Sequence, residues 1–161
     1  MANRFWSSLD RVLELILRWG AIFCLIALLL LIAATVFVRF VPVSSMGWSD
    51  EIIEFAFAWM VFLGTACLWR NRSHFRVELI TGWLVGSKSG QVLEIILNLL
   101  ALVFFLVFTY QGWILSGKAT DRSPILELPR YLWYMIMPLS GLIIVGYTLR
   151  DLRDFFRGRP R

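Results

Sequence analysis

Three carboxylates fall close together at Asp50, Glu51 and Glu54, and a single histidine follows at His74. Neighbouring carboxylates can share acid–base work or hold a cation, and a histidine can ligate a metal or move a proton. Each of those chemistries needs company that is missing here. A haem held by imidazoles needs two axial ligands, and a metal cluster needs several. Cys24 and Cys67 form no CxxC pair and both stand in apolar surroundings, which suits inert packing residues and not a quinone-linked thiol oxidase. No Ser/His/Asp set and no phosphate-binding glycine loop occurs. We therefore expect no catalytic residue, no cofactor and no metal, and the chain reads as a non-enzyme.

The elements that must carry these residues are unusually apolar. Hydrophobic types make up 59% of the 161 residues and charged types 17%. A chain this short could not hide so much apolar surface from water, so a soluble domain is excluded and a bilayer is the natural solvent. Four spans follow, at about 20–38, 52–69, 95–117 and 131–149, close to the roughly 20 residues that cross a ~30 Å hydrocarbon core. The runs are continuous, not alternating, which argues against a strand barrel. The first run is too long for a signal peptide, follows Asp10 and Glu14, and has no convincing cleavage site, so the mature chain is expected to begin at or near Met1. The fold class is an all-α integral membrane protein, one four-helix domain over 1–161.

Charge sets the orientation. Twelve Lys and Arg residues flank the ends shared by the two termini and the middle loop, and four flank the other ends. The positive-inside rule puts both termini in the cytoplasm, with Ser87 inside and Ser45 and Arg122 outside. The net charge of +5 bears on this before any nucleic-acid partner, and none is expected.

Two cytoplasmic stretches are amphipathic. In 4–19, Leu9, Val12, Leu13, Ile16 and Leu17 share a face opposite Arg4, Asp10, Arg11, Glu14 and Arg18. This suits either a helix lying in the headgroup layer, hinged at Gly20, or a straight extension of the first span. In 75–85, Val77, Ile80, Trp83 and Leu84 recur at helical spacing, which predicts a short interfacial helix before the Gly86–Gly90 turn. Ser89 is then a candidate cap for the third span.

Around the second span the residues are more specific. Ser49 is a candidate N-cap, and Asp50 and Glu51 suit the positive end of the helix dipole. Trp48 fits an interfacial belt. Glu54 shares a face with Ala58, Val61 and Thr65; ionisable residues near a membrane seldom face lipid, so that face is expected to pack on protein. Within the chain Arg39 is the nearest candidate cation for Glu54 and Lys118 the next; the alternative is a donor from another subunit. Arg70, Arg72 and His74 are expected at the cytoplasmic edge, on headgroups or an acidic partner. Small four-helix multidrug exporters need a carboxylate within the first span, and Gly20–Val38 has none. Asn98 and Thr109 share a face of the third span and read as interhelical glue before they read as a pore.

These residues, in this order, resemble the small membrane subunit (DctQ-type) of tripartite ATP-independent periplasmic transporters, or TRAP transporters. The resemblance rests on Trp48-Ser49-Asp50-Glu51, Phe62-Leu63-Gly64, Arg70 followed by His74, Ser123-Pro124-Ile125-Leu126 with Leu128-Pro129, and Tyr134 and Pro138 in the fourth span. Phe75-Arg76 and Glu78 depart from the family's usual small or aliphatic residues and Asp. The resemblance implies a bacterial inner-membrane, multi-pass subunit without catalytic residues, in a sodium-coupled symporter for an organic acid. It implies a periplasmic substrate-binding protein and a large multi-span subunit that carries substrate by an elevator movement while the small one supports its fixed scaffold. Trp48, Asp50, Glu51, Glu54, Ala58, Phe62, Gly64, Arg70, His74, Pro124, Tyr134 and Pro138 are the candidate assembly contacts, with membrane lipid covering the rest. The competing class is a stand-alone small channel or the anchor of a redox complex, and the few polar residues within the spans argue against it.

Overall fold

A computed structural model gives the architecture and describes residues 2–40, 46–70 and 88–156. Helix α1 covers Ala2–Phe40, α2 Gly47–Arg70, α3 Lys88–Lys118, α4 the single turn Tyr131–Tyr134, and α5 Ile136–Phe156. Four of them are long and apolar enough to cross a membrane. Among the described residues there is no strand, only an isolated antiparallel bridge between Arg122 and Pro129. His74, the 75–85 segment, Ser45 and Ser87 lie outside the described residues.

Helix neighbours follow the order α1, α2, α5, α3. Among the described residues α1 approaches neither α3 nor α5 along its backbone, so the four long helices form a partly open row. Aromatic rings also bring α2 and α3 into contact: Phe62 lies 5.7 Å from Phe108 and Trp69 4.9 Å from Phe105. The tightest core gathers Leu17, Ala66 and Ile144, with Leu13, Leu63, Cys67, Trp69 and Ile143 around it. It sits toward the end of the row where α1 begins and α5 finishes, called the terminal end below. Burial within the chain is uneven, with α5 well covered and the long faces of α1 and α3 exposed.

Close approach of α3 and α5 depends on two glycines. A Cβ at Gly112 would press on Met137 and Pro138, and one at Gly141 would run into the Thr109 side chain. Small residues at such crossings let helices meet where hydrocarbon offers no hydrophobic drive for association.

Several boundaries differ from the sequence reading. Of the two arrangements weighed for 4–19, the unbroken helix is the one found; Gly20 is no hinge and instead lies within 3.0 Å, by its virtual Cβ, of Leu63 on α2. The third helix starts at Lys88, which puts Ser89 inside it and not at its cap. The fourth span breaks at Met135 and runs on to Phe156. Pro138 explains the break, because it has no N–H for the preceding turn. Helix α2 starts at Gly47, so Ser49 lies inside the first turn; fully buried, its hydroxyl donates to the Met46 carbonyl at 2.6 Å.

Candidate functional site

The polar residues collect at the two ends of the helix row. At the end opposite the termini, residues 121–130 form a tight reversal. Ser123 N–H donates to the Leu128 carbonyl at 2.8 Å and Arg130 N–H to that of Asp121 at 2.9 Å, while Glu127 takes a positive φ of 53°. Glu51 reaches from the first turn of α2 into this loop. Its Oε2 accepts from the Ser123 hydroxyl at 2.6 Å and the Leu126 N–H at 2.9 Å, and its Oε1 from the Ile125 N–H at 2.8 Å. Three donors on one buried carboxylate satisfy backbone groups that the loop's own turn leaves open. Glu51 is therefore a strut between α2 and the 121–130 loop. A second strut joins Trp59 Nε1 to the Leu132 carbonyl at 3.1 Å, with Phe55 set edge-on to Trp133 at 5.3 Å.

Glu54 lies one turn further on and is more than half exposed; its partner is Arg130, at 3.4 Å. Neither Arg39 nor Lys118 fills that role, because the loop folds back over α2 and brings Arg130 to the same edge. At this end Trp48 and Asp50 are exposed, as is Pro124 on the loop.

At the terminal end an ionic clamp ties three helices. Asp10 accepts from Arg70 through Nη2 at 2.9 Å and Nε at 3.3 Å, and from the Tyr147 hydroxyl at 2.7 Å. Arg150 approaches the same carboxylate at 3.5 Å and lies over the Tyr147 ring. Glu14 takes the other Arg70 nitrogen at 2.8 Å. Nearby, Trp69 Nε1 donates to Thr148 Oγ1 at 3.0 Å, and Thr148 passes its own hydrogen to the Ile144 carbonyl. Arg70, read from the sequence as facing headgroups or an acidic partner, is engaged inside the chain, because α1 runs unbroken from Ala2 and delivers Asp10 and Glu14 to it.

The remaining candidates scatter. Phe62 and Pro138 pack inward, and Ala58 and Tyr134 are half-buried. Gly64 faces open space, with nothing within 4 Å of a virtual Cβ. The Thr109 hydroxyl donates to the Phe105 carbonyl of its own helix, not across to α5, while its side chain lies against Gly141 of α5. Cys24 and Cys67 are free thiols, and Cys67 packs on the core. Among the described residues no group of His, Cys, Asp and Glu could hold a metal ion. Tyr147 and Arg130 are not among the candidates read from the sequence, and Asp10 enters there only as part of a charged face; Arg130 carries a charge at a span end that could flag it, whereas neutral Tyr147 offers no such signal.

Residues 28–158 match the family model described as tripartite ATP-independent periplasmic transporters, DctQ component. The chain belongs to the DctQ family. The DctQ match leaves out the first 27 residues, which hold most of α1, and the last three, so both the Glu51 strut and the α5 side of the clamp fall within it. This DctQ chain is also similar to the isethionate TRAP transporter permease protein DctMQ of Oleidesulfovibrio alaskensis, at 28% identity over 108 residues, 65% of this chain but only 17% of that protein. It is similar to a putative TRAP transporter small permease protein of Haemophilus influenzae, at 23% identity over 138 residues, 82% of this chain and 84% of that one. DctQ chains are transporter permease components and not a catalytic family.

Proposed function

We propose that this chain is the small, non-catalytic subunit of a sodium-coupled TRAP transporter that takes up an organic acid across the bacterial inner membrane, where it supports the fixed scaffold of a large multi-span subunit. The observation that carries this reading is the DctQ match across 28–158, joined to a relative, DctMQ, whose name unites M and Q in one permease protein. The internal ties support it: among the described residues Glu51, Asp10, Glu14 and Arg70 are spent on holding the chain's own helices and not on lining a path for substrate or ion. The relative named for isethionate fits the organic-anion class. A periplasmic binding protein delivers the substrate, and the termini lie inside, following the twelve-to-four division of basic residues.

The assembly surface follows from what the chain does not use itself. Trp48, Asp50, Glu54 and Pro124 are exposed at the outer end, and Gly64 lies bare on α2. Half-buried Ala58 and Tyr134 belong to the same proposed set, as does His74, which lies outside the described residues. Gly64→Leu adds bulk where the chain has room, so it should reach the membrane in normal amount and lower co-purification of the large subunit and uptake of the organic acid together. Normal recovery and uptake would move the interface elsewhere. Uptake that persists without this chain, or without sodium, would reject the role itself.

A further inference from the structure

Beyond assembly, the outer ends of α3 and α5 carry a cavity with the composition of a lipid site. It has a volume of about 230 Å³ and is lined by Trp113, Ser116, Gly117, Tyr131, Met135 and Pro138. A single water occupies ~30 Å³ of liquid, so the space suits a stretch of hydrocarbon. One wall atom is out of keeping with the rest. Ser116 Oγ is buried and has no hydrogen-bond partner among the described residues. Elsewhere in these helices a hydroxyl turns back on its own backbone: Thr65 donates to Val61, Thr109 to Phe105, Ser140 to Met137 and Thr148 to Ile144. Ser116 does not, and a buried hydroxyl left unmatched is unfavourable unless an acceptor comes from outside.

A cation directly follows Gly117, the last lining residue of α3. Lys118 ends α3, is exposed, and joins no ion pair among the described residues. Trp113 and Tyr131, both exposed aromatics, flank the same level, as ring side chains do at the headgroup boundary. We propose that this cavity binds one phospholipid of the leaflet at that end. A segment of acyl chain lies between Trp113 and Met135–Pro138, an ester or phosphate oxygen accepts from Ser116, and the phosphate pairs with Lys118.

The test uses the full chain, purified and delipidated, titrated with phosphatidylglycerol and phosphatidylcholine under native mass spectrometry. The parent should retain one phospholipid. Gly117→Leu fills the space, since nothing lies within 4 Å of a Cβ there, and should weaken retention about tenfold or more. Lys118→Gln should weaken it several-fold for either headgroup, and Ser116→Ala by less. Lipid-free melting temperatures of the variants should stay near the parent's, which separates loss of lipid from loss of fold. Equal retention by Gly117→Leu and the parent would overturn the proposal. So would a photo-crosslinker at position 113 that, in intact membranes, joins the chain to another protein and not to lipid.

Discussion

A carboxylate held by three donors and a carboxylate facing one distant guanidinium answer the same substitution differently. Glu51→Ala leaves the Ser123 hydroxyl and the Ile125 and Leu126 amides without their acceptor. At about 1–3 kcal/mol for each unsatisfied group, with incomplete additivity, the loss should be on the order of 3 kcal/mol or more. Glu51→Gln should cost less: the amide oxygen can stay with Ser123 and Leu126 while its NH2 confronts the Ile125 donor. Glu54→Gln breaks only an exposed contact of 3.4 Å and should fall within about 1 kcal/mol. Thermal unfolding of the purified chain in one detergent ranks the three. A ranking with Glu54 ahead of Glu51 would contradict the strut. Local pattern pointed the other way. Glu51 read as an ordinary first-turn carboxylate, and Glu54 stood out because it lies deeper. The acceptor's true partners lie more than seventy residues along the chain, and no periodicity around residue 51 reports on them.

Helices are where the sequence was most readable. A continuous apolar run must form internal hydrogen bonds in hydrocarbon, so four spans were legible from hydropathy alone. Their packing was not. The place where α3 and α5 come together is set by Gly141 against Thr109, and glycines in apolar helices are common enough to carry no address. Gly141→Ala should therefore overpack this crossing and cost about 1–3 kcal/mol. Thr109→Ala in the same chain removes the group that the new methyl meets, so the double variant should regain much of the loss. If Gly141→Ala melts with the parent, the two helices do not approach as described. The continuation of α1 to the terminal end was open for a related reason. Residues 4–19 have one apolar and one charged face, and that pattern serves equally a helix on a membrane and a helix on a neighbour. The charged face decided it, because Asp10 and Glu14 found Arg70.

The whole molecule is closed at both ends and open along its sides. At the terminal end the clamp is partly shielded, with Arg70 15% exposed and Asp10 28%. Between the values for exposed and for buried pairs, Arg70→Ala should cost about 2 kcal/mol. Asp10→Asn on top of it should add little, since both break the same pair; full additivity in the double-mutant cycle would show the two to be independent. Orientation is tested separately. In a background without Cys24 and Cys67, a cysteine at Arg122 should react with an impermeant thiol reagent from the periplasm and one at Ser87 should not. The reverse pattern would invert the chain. The clamp also has a consequence for how the protein is made. Asp10 and Tyr147 are separated by 137 positions, and Arg150 by a few more. Spans enter the membrane in order as the ribosome delivers them, so α1 must wait beside α2 with its two carboxylates only half answered until α5 arrives. A product cut short before Tyr147 keeps three apolar spans and presents Asp10 to the membrane edge without the Tyr147 hydroxyl and Arg150. Delivery of α5 is thus written into the fold as a chemical condition, and a copy that lacks it carries a visible mark of the loss.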